Sequence, residues 1–177
     1  MKAAALMIAS VVLQAATPEP PLAVGDVLPC LRGEYLTGRR ATLPQDAAGR
    51  AALLLLGFSY DSRFQVEAWA GRFRRDFGAD AGVTFFEIPM IGGFARLGKW
   101  FIDSGMRKGT PEADREHVIT VYGGVEPWKQ RVEFRDPKSA YLILIDSAGR
   151  VAWRGSGDLN EDRYGALVRE LRTLRTR

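Results

Sequence analysis

From Ala51 to Phe58 the chain reads AALLLLGF, an apolar run with no polar alternation. A strand exposed on one face would alternate, so this run predicts a strand covered on both faces. The turn Ser59-Tyr60-Asp61-Ser62 follows. Val66, Trp69, Phe73 and Phe77 then recur at helical spacing, and Gly78 is the stop signal. Ser62 and Gln65 have the spacing of a capping box, with Asp61 as a rival cap. A doubly covered strand feeding an amphipathic helix requires layers on both sides of a sheet, which points to an α/β or mixed architecture.

The rest of the chain fits that frame. VGDVLPCLRGEYLTGRRATL predicts two edge strands joined by a turn at Thr37-Gly38, and VTFFEIPM predicts another strand. GFARLGKWFIDSGM predicts a helix ending near Gly105, with Phe94, Leu97 and Phe101 inward. HVITVYG is a strand, and YLILIDSAGRVAWRGSG is a hairpin turning at Ser147-Ala148-Gly149. A last helix runs from Leu159, with Asn160 as its N-cap and Tyr164, Leu167, Val168 and Leu171 inward. Trp100 and Trp153 are expected to pack, whereas Trp128 in GGVEPWKQ is the tryptophan expected at the surface. The element order is β-β-β-α-β-α-β-β-β-α. A chain of 177 residues is long enough for one domain with a proper core.

Composition excludes several functions. The net charge is +4 and the arginines are scattered, which is no continuous footprint for a nucleic acid. One histidine and one cysteine cannot make a metal centre, and nothing implies a cofactor. No serine lies in a nucleophile-elbow motif, so a hydrolase using His117 would need a serine brought to it by the fold. Gly155-Ser156-Gly157 lacks the third glycine of a phosphate loop and reads as a tight turn. Residues 1–16 carry Lys2 and an apolar run of signal-peptide length, residues 17–23 are a Pro-rich linker, and 24–177 form the domain. This predicts a periplasmic or otherwise exported bacterial protein. A mitochondrial leader is disfavoured, because no arginine precedes Pro18.

The element order resembles a thioredoxin-like fold of the redoxin kind: a mixed central sheet, helices on both faces and an N-terminal β-hairpin. Placing Phe58 on the first aromatic of the redoxin FWxxWCxxC pattern puts Arg63 and Val66 at the two cysteine positions. Counting back from Asp146 to the position of the redoxin cis-proline reaches Ala140. In redoxins this junction holds an extended peptide thiol. A thiolate is the nucleophile of disulfide exchange, and neither arginine nor serine replaces it.

FIDSGMRKGTPEADREHVITVYGG and YLILIDSAGRVAWRGSGDL are also similar to mitochondrial ATP synthase assembly factors of the "ATPase complex subunit ten" type. That resemblance implies a non-redox chaperone with a protein client, such as a membrane-protein subunit, and membrane association only through the client. It implies no catalytic residue. The partner-binding candidates are Tyr60, Asp61, Arg63, Arg107, Lys108, His117, Tyr122 and Trp153. The alternative is a one-cysteine peroxiredoxin or thiol–disulfide exchange enzyme using Cys30. Its single-site form requires Cys30 near the Ser62-Arg63 junction.

Overall fold

The computed structural model describes residues 19–93 and 98–176. The leader and the helical positions Phe94 and Leu97 lie outside the described residues. Among the described residues seven strands form one sheet: β1 (Leu31–Tyr35), β2 (Arg40–Leu43), β3 (Ala51–Gly57), β4 (Val83–Ile91), β5 (Ile119–Tyr122), β6 (Ala140–Ile145) and β7 (Val151–Ser156). Their order across the sheet is β2-β1-β5-β4-β3-β6-β7. Strands β3, β4 and β5 are parallel, and the hairpins β1–β2 and β6–β7 are antiparallel. This is the thioredoxin-like mixed sheet with an N-terminal hairpin.

The AALLLLG strand is central, and all seven of its residues are buried. Its alternate side chains serve two cores. Leu54 and Leu56 face the hairpin residues Leu31, Tyr35 and Leu43 and the short helix α3 (Val125–Arg131). Leu53 and Leu55 face α1 (Arg63–Phe77) and α4 (Glu161–Arg175) through Trp69, Phe73, Leu167 and Leu171. At about 25 cal/mol per Å² of apolar surface, burying each leucine contributes about 2 kcal/mol, which explains why the run contains no polar residue. Gly33 lets β1 approach β5: a Cβ there would lie 2.6 Å from Ile119 Cγ2 and 2.7 Å from the Thr120 carbonyl oxygen.

Several expectations need correction. Helix α3 was not legible as a helix, and Trp128 on it is 4% exposed rather than at the surface. Its ring turns into the hairpin-side core. Helix α2 (Lys99–Gly109) runs past Gly105, and it turns Phe101 outward at 78% exposure and Trp100 at 79%. The buried residue of α2 is instead Asp103, so a polar network and not an aromatic stripe anchors this helix. The expected Asn160 cap and the inward Tyr164, Leu167 and Leu171 are present.

Candidate functional site

The carboxyl ends of the parallel strands are where α/β sheets place ligand sites, and the β3–α1 junction lies there. Its serines are structural. Ser62 is fully buried; its Oγ donates to the Ser59 carbonyl at 2.7 Å and accepts the Ser59 N–H at 3.2 Å. Gly57 leaves room for it, since a Cβ there would stand 2.7 Å from that Oγ. Ser59 Oγ donates to the Pro137 carbonyl at 2.5 Å, tying the junction to the loop before β6. The capping box does not form, because Gln65 Oε1 instead accepts the Ala140 N–H at 2.9 Å.

The loop before β6 spends its backbone groups inward. The Tyr141 hydroxyl accepts the Arg135 and Asp136 N–H groups and donates to the Asp136 carbonyl. The Asp136 carboxylate accepts the Lys138 N–H, and the Ala140 carbonyl accepts the Gly157 N–H. An extended chain would find few free partners along this edge. What the junction presents outward is an aromatic–cationic stack, with the Arg63 guanidinium 4.0 Å from the Tyr60 ring and 4.6 Å from Phe64. Tyr60 is 72% exposed, and Asp61 is exposed beside it. Arg63 is exposed and Val66 is buried, so neither cysteine position of the redoxin pattern carries a nucleophile.

The other candidates do not gather on one face. Arg107 Nε donates to the Leu36 carbonyl at 2.7 Å, and its own carbonyl accepts from Arg115 Nη2 at 2.9 Å. It therefore clasps α2 to the hairpin, while Lys108 is exposed. Tyr122 donates to Asp103 Oδ1 at 2.6 Å, and Lys99 joins Asp103 to Glu34. Burial and the neighbouring Asp103 carboxylate raise the Tyr122 hydroxyl well above the ordinary tyrosine range. His117 stacks flat on Phe85 at 4.5 Å, with Nδ1 3.0 Å from the Phe85 carbonyl oxygen. Trp153 packs half-buried on β7, beyond β6 at the far edge of the sheet.

Cys30, exposed and unpaired, stands just before β1. Leu28, two residues earlier, donates its N–H to the Gly149 carbonyl in the β6–β7 turn. Leu31, next after Cys30, pairs with Leu43, and the adjacent Pro44 packs on Gly149. That turn lies where β3 begins, whereas the β3–α1 junction lies where it ends. The two ends are separated by the length of β3, about 20 Å at about 3.3 Å per residue. Cys30 and the helix start do not share a site, so the single-site form of the one-cysteine reading fails.

Sequence reasoning missed a third cluster. Glu87 in the middle of β4 lies beneath α1, and Arg74 Nη2 is 3.8 Å from its Oε1, too far for a hydrogen bond. Burial pushes the Glu87 carboxyl up to about 7, and Arg74 offsets only part of this. Arg74 Nη1 bonds Asp114 at 2.8 Å, while its buried Nε has no partner. A cavity of about 400 Å³ opens beside these groups, at the end of α1 remote from the Tyr60–Phe64 stack. The sequence signal was the single carboxylate inside VTFFEIPM. Among the described residues no cluster of His, Cys, Asp or Glu could hold a metal ion, and no helix is long and apolar enough to cross a membrane.

Neither a protein-family model nor a curated protein matches the chain. Solved structures do. A Chlorobium tepidum protein assigned as thiol:disulfide interchange protein DsbE superposes with a TM-score of 0.59 at 18% identity, over 86% of this chain and 98% of that one. The thioredoxin domain of a thiol-disulfide oxidoreductase from Bacteroides vulgatus gives 0.56 at 19%, over 85% and 99%. The exposed lipoprotein thioredoxin of Streptococcus pneumoniae gives 0.54 at 14%, over 82% and 99%. The fold is therefore thioredoxin-like, shared with thiol–disulfide oxidoreductases. These relatives overturn the resemblance to ATP synthase assembly factors, and with it the chaperone reading. Arg107 clasps Leu36, Gly149 forms the hairpin turn at φ 79°, and Gly155 leaves room for the Trp153 ring, so in this chain each has a structural role. The chain carries one cysteine and therefore has no dithiol site.

Proposed function

We propose that this protein takes part in thiol–disulfide exchange through one thiol, Cys30, in an exported location. The observation that carries the reading is that the only sulfhydryl of a fold shared with thiol–disulfide oxidoreductases is exposed, outside the helix start. In the first step the Cys30 thiolate attacks one sulfur of a partner disulfide. The partner S–S bond breaks, a mixed disulfide forms, and the departing thiolate takes up a proton. A second thiol from outside the chain then attacks the mixed disulfide and restores Cys30. The apolar leader supports export, and export supplies the oxidising surroundings in which partner disulfides persist. One structural relative is an exposed lipoprotein by its description, which agrees with that location.

The test compares Cys30 with a free thiol. The protein is mixed with oxidised glutathione and with a disulfide-linked peptide, and exchange is followed by intact mass and by peptide release. Exchange at least about tenfold faster than free glutathione at the same pH, and lost in Cys30→Ser, supports the reading. A rate no greater than that of free glutathione overturns it.

A further inference from the structure

We propose that the sheet edge at the carboxyl ends of β3, β4 and β5 is an interface for a second copy of this chain, forming a two-fold dimer through Tyr60, Phe64, Trp100 and Phe101. This surface is independent of Cys30 and of the exchange reading.

The exposed large apolar side chains among the described residues are Val24, Val27 and four aromatics, Tyr60, Phe64, Trp100 and Phe101, the aromatics at 59% to 79% exposure. Strand pairing puts all four aromatics at one edge. β3 and β4 stay paired to Gly57 and Pro89, and β4 and β5 to Ile91 and Tyr122. Tyr60 and Phe64 follow the end of β3. Tyr122 Oη lies 3.4 Å from the Lys99 carbonyl oxygen, which sets the first turn of α2, with Trp100 and Phe101, at the end of β5. Helix α2 turns Asp103 inward, so its two aromatics have no core to enter. At about 150–250 Å² for a whole aromatic side chain, the four leave roughly 400–700 Å² per copy in water. That is at or above what a monomer ordinarily leaves in one patch. Two such faces together remove roughly 1,000 Å², the least that a specific interface buries.

The charges choose the occupant. Asp61 and Arg63 are both exposed, and neither has an ion-pair partner among the described residues. Lys99 is already matched by Glu34 and Asp103, and Glu67 lies one turn further along α1. The loop tied to the junction through Ser59 and Pro137 adds Arg135, Asp136 and Lys138, again of both signs. An anionic bilayer would meet Asp61 and Asp136 as well as the cations. A patch with one unmatched charge of each sign beside its aromatics is self-complementary: a two-fold axis sets Asp61 of each copy against Arg63 of the other. Cys30 stands at the opposite end of β3, so both thiols stay exposed in the dimer.

The test is sedimentation velocity on the full chain under reducing conditions, over concentrations from about 1 to about 300 μM, where a reversible dimer with a Kd on the order of 10 μM is expected. Trp100→Ser with Phe101→Ser should weaken it about tenfold or more and leave the melting temperature unchanged, since both side chains are exposed. Asp61→Arg alone and Arg63→Asp alone should each stay monomeric, because like charges then meet across the axis, and an equal mixture of the two should dimerise again. A chain monomeric at every concentration, a dimer that survives the aromatic variant, a mixture no better than its parts, or a dimer lost in Cys30→Ser overturns the proposal. So does a monomer that sediments with phosphatidylglycerol vesicles through Trp100 and Phe101, which would assign the edge to a membrane.

Discussion

Glu87 should make the protein less stable as the pH rises from about 5 to 8, and Glu87→Gln should remove that loss. In the folded state burial under α1 holds its carboxyl at about 7, against an ordinary 4.5. Between those values the folded state binds more protons than the unfolded chain, so stability falls with rising pH and the cost is complete above about 7. The gap is 7 − 4.5 = 2.5 pH units. At 1.36 kcal/mol per unit this is about 3 kcal/mol, an order-of-magnitude figure. Arg74 reduces the cost but does not cancel it, because at 3.8 Å the pair makes no hydrogen bond. Glutamine has the shape of the neutral acid, so at pH 5 the two proteins should differ little. At pH 8 the variant should be more stable by about 2–3 kcal/mol. The carboxyls of Asp76 and Glu116 are held below their ordinary range by their hydrogen-bonded partners, Tyr164 and Arg72 for the first and Arg39 and Thr37 for the second. Their contribution is lost on acidification, below the window in which Glu87 acts. Urea unfolding at pH 5, 6, 7 and 8, with m-values compared, is the assay. Parallel stability curves for the two proteins would refute the argument. So would a variant less stable at pH 8, since the Arg74–Glu87 attraction would then outweigh burial.

Arg107→Ala should lower stability by about 1–2 kcal/mol through the orphaned Leu36 carbonyl, whereas Lys108→Ala should change it by less than about 0.5 kcal/mol; equal melting temperatures for the two variants would contradict the clasp seen at Arg107. Gly33→Ala should cost about 1–3 kcal/mol by forcing β1 off β5, visible as faster amide exchange in β1 and β5. Removing the Asn160 cap, whose Oδ1 accepts the Arg163 N–H at 2.9 Å, should cost about 1 kcal/mol in Asn160→Ala, read by chemical denaturation. Sequencing the mature N-terminus from the native host should find cleavage near Ala15 or Ala16, and an intact Met1 would refute export.

Periodicity and local cues determined the strands, three of the four helices among the described residues and the thioredoxin-like order. Leu53 to Leu56 must be covered on both sides, Val66, Trp69 and Phe73 must face one way, and Asn160 must start a helix, whatever lies nearby. The absence of dithiol chemistry was equally legible, since a missing cysteine is a fact of composition. Tertiary structure decided what each polar residue does. Ser62 and Gln65 have capping-box spacing, yet Gln65 satisfies the Ala140 N–H from another strand, because a buried donor 75 residues away is the more costly one to leave open. Trp128 turned inward and Phe101 outward because the sheet supplies a surface for α3, whereas α2 is held by Asp103, Tyr122 and Lys99. The distance of Cys30 from the helix start follows from strand pairing, which no local pattern encodes. The half-used Arg74 and the near-neutral Glu87 have the same origin. A guanidinium's spare hydrogen bonds and a carboxyl's desolvation depend on which residues distant in sequence are packed around them.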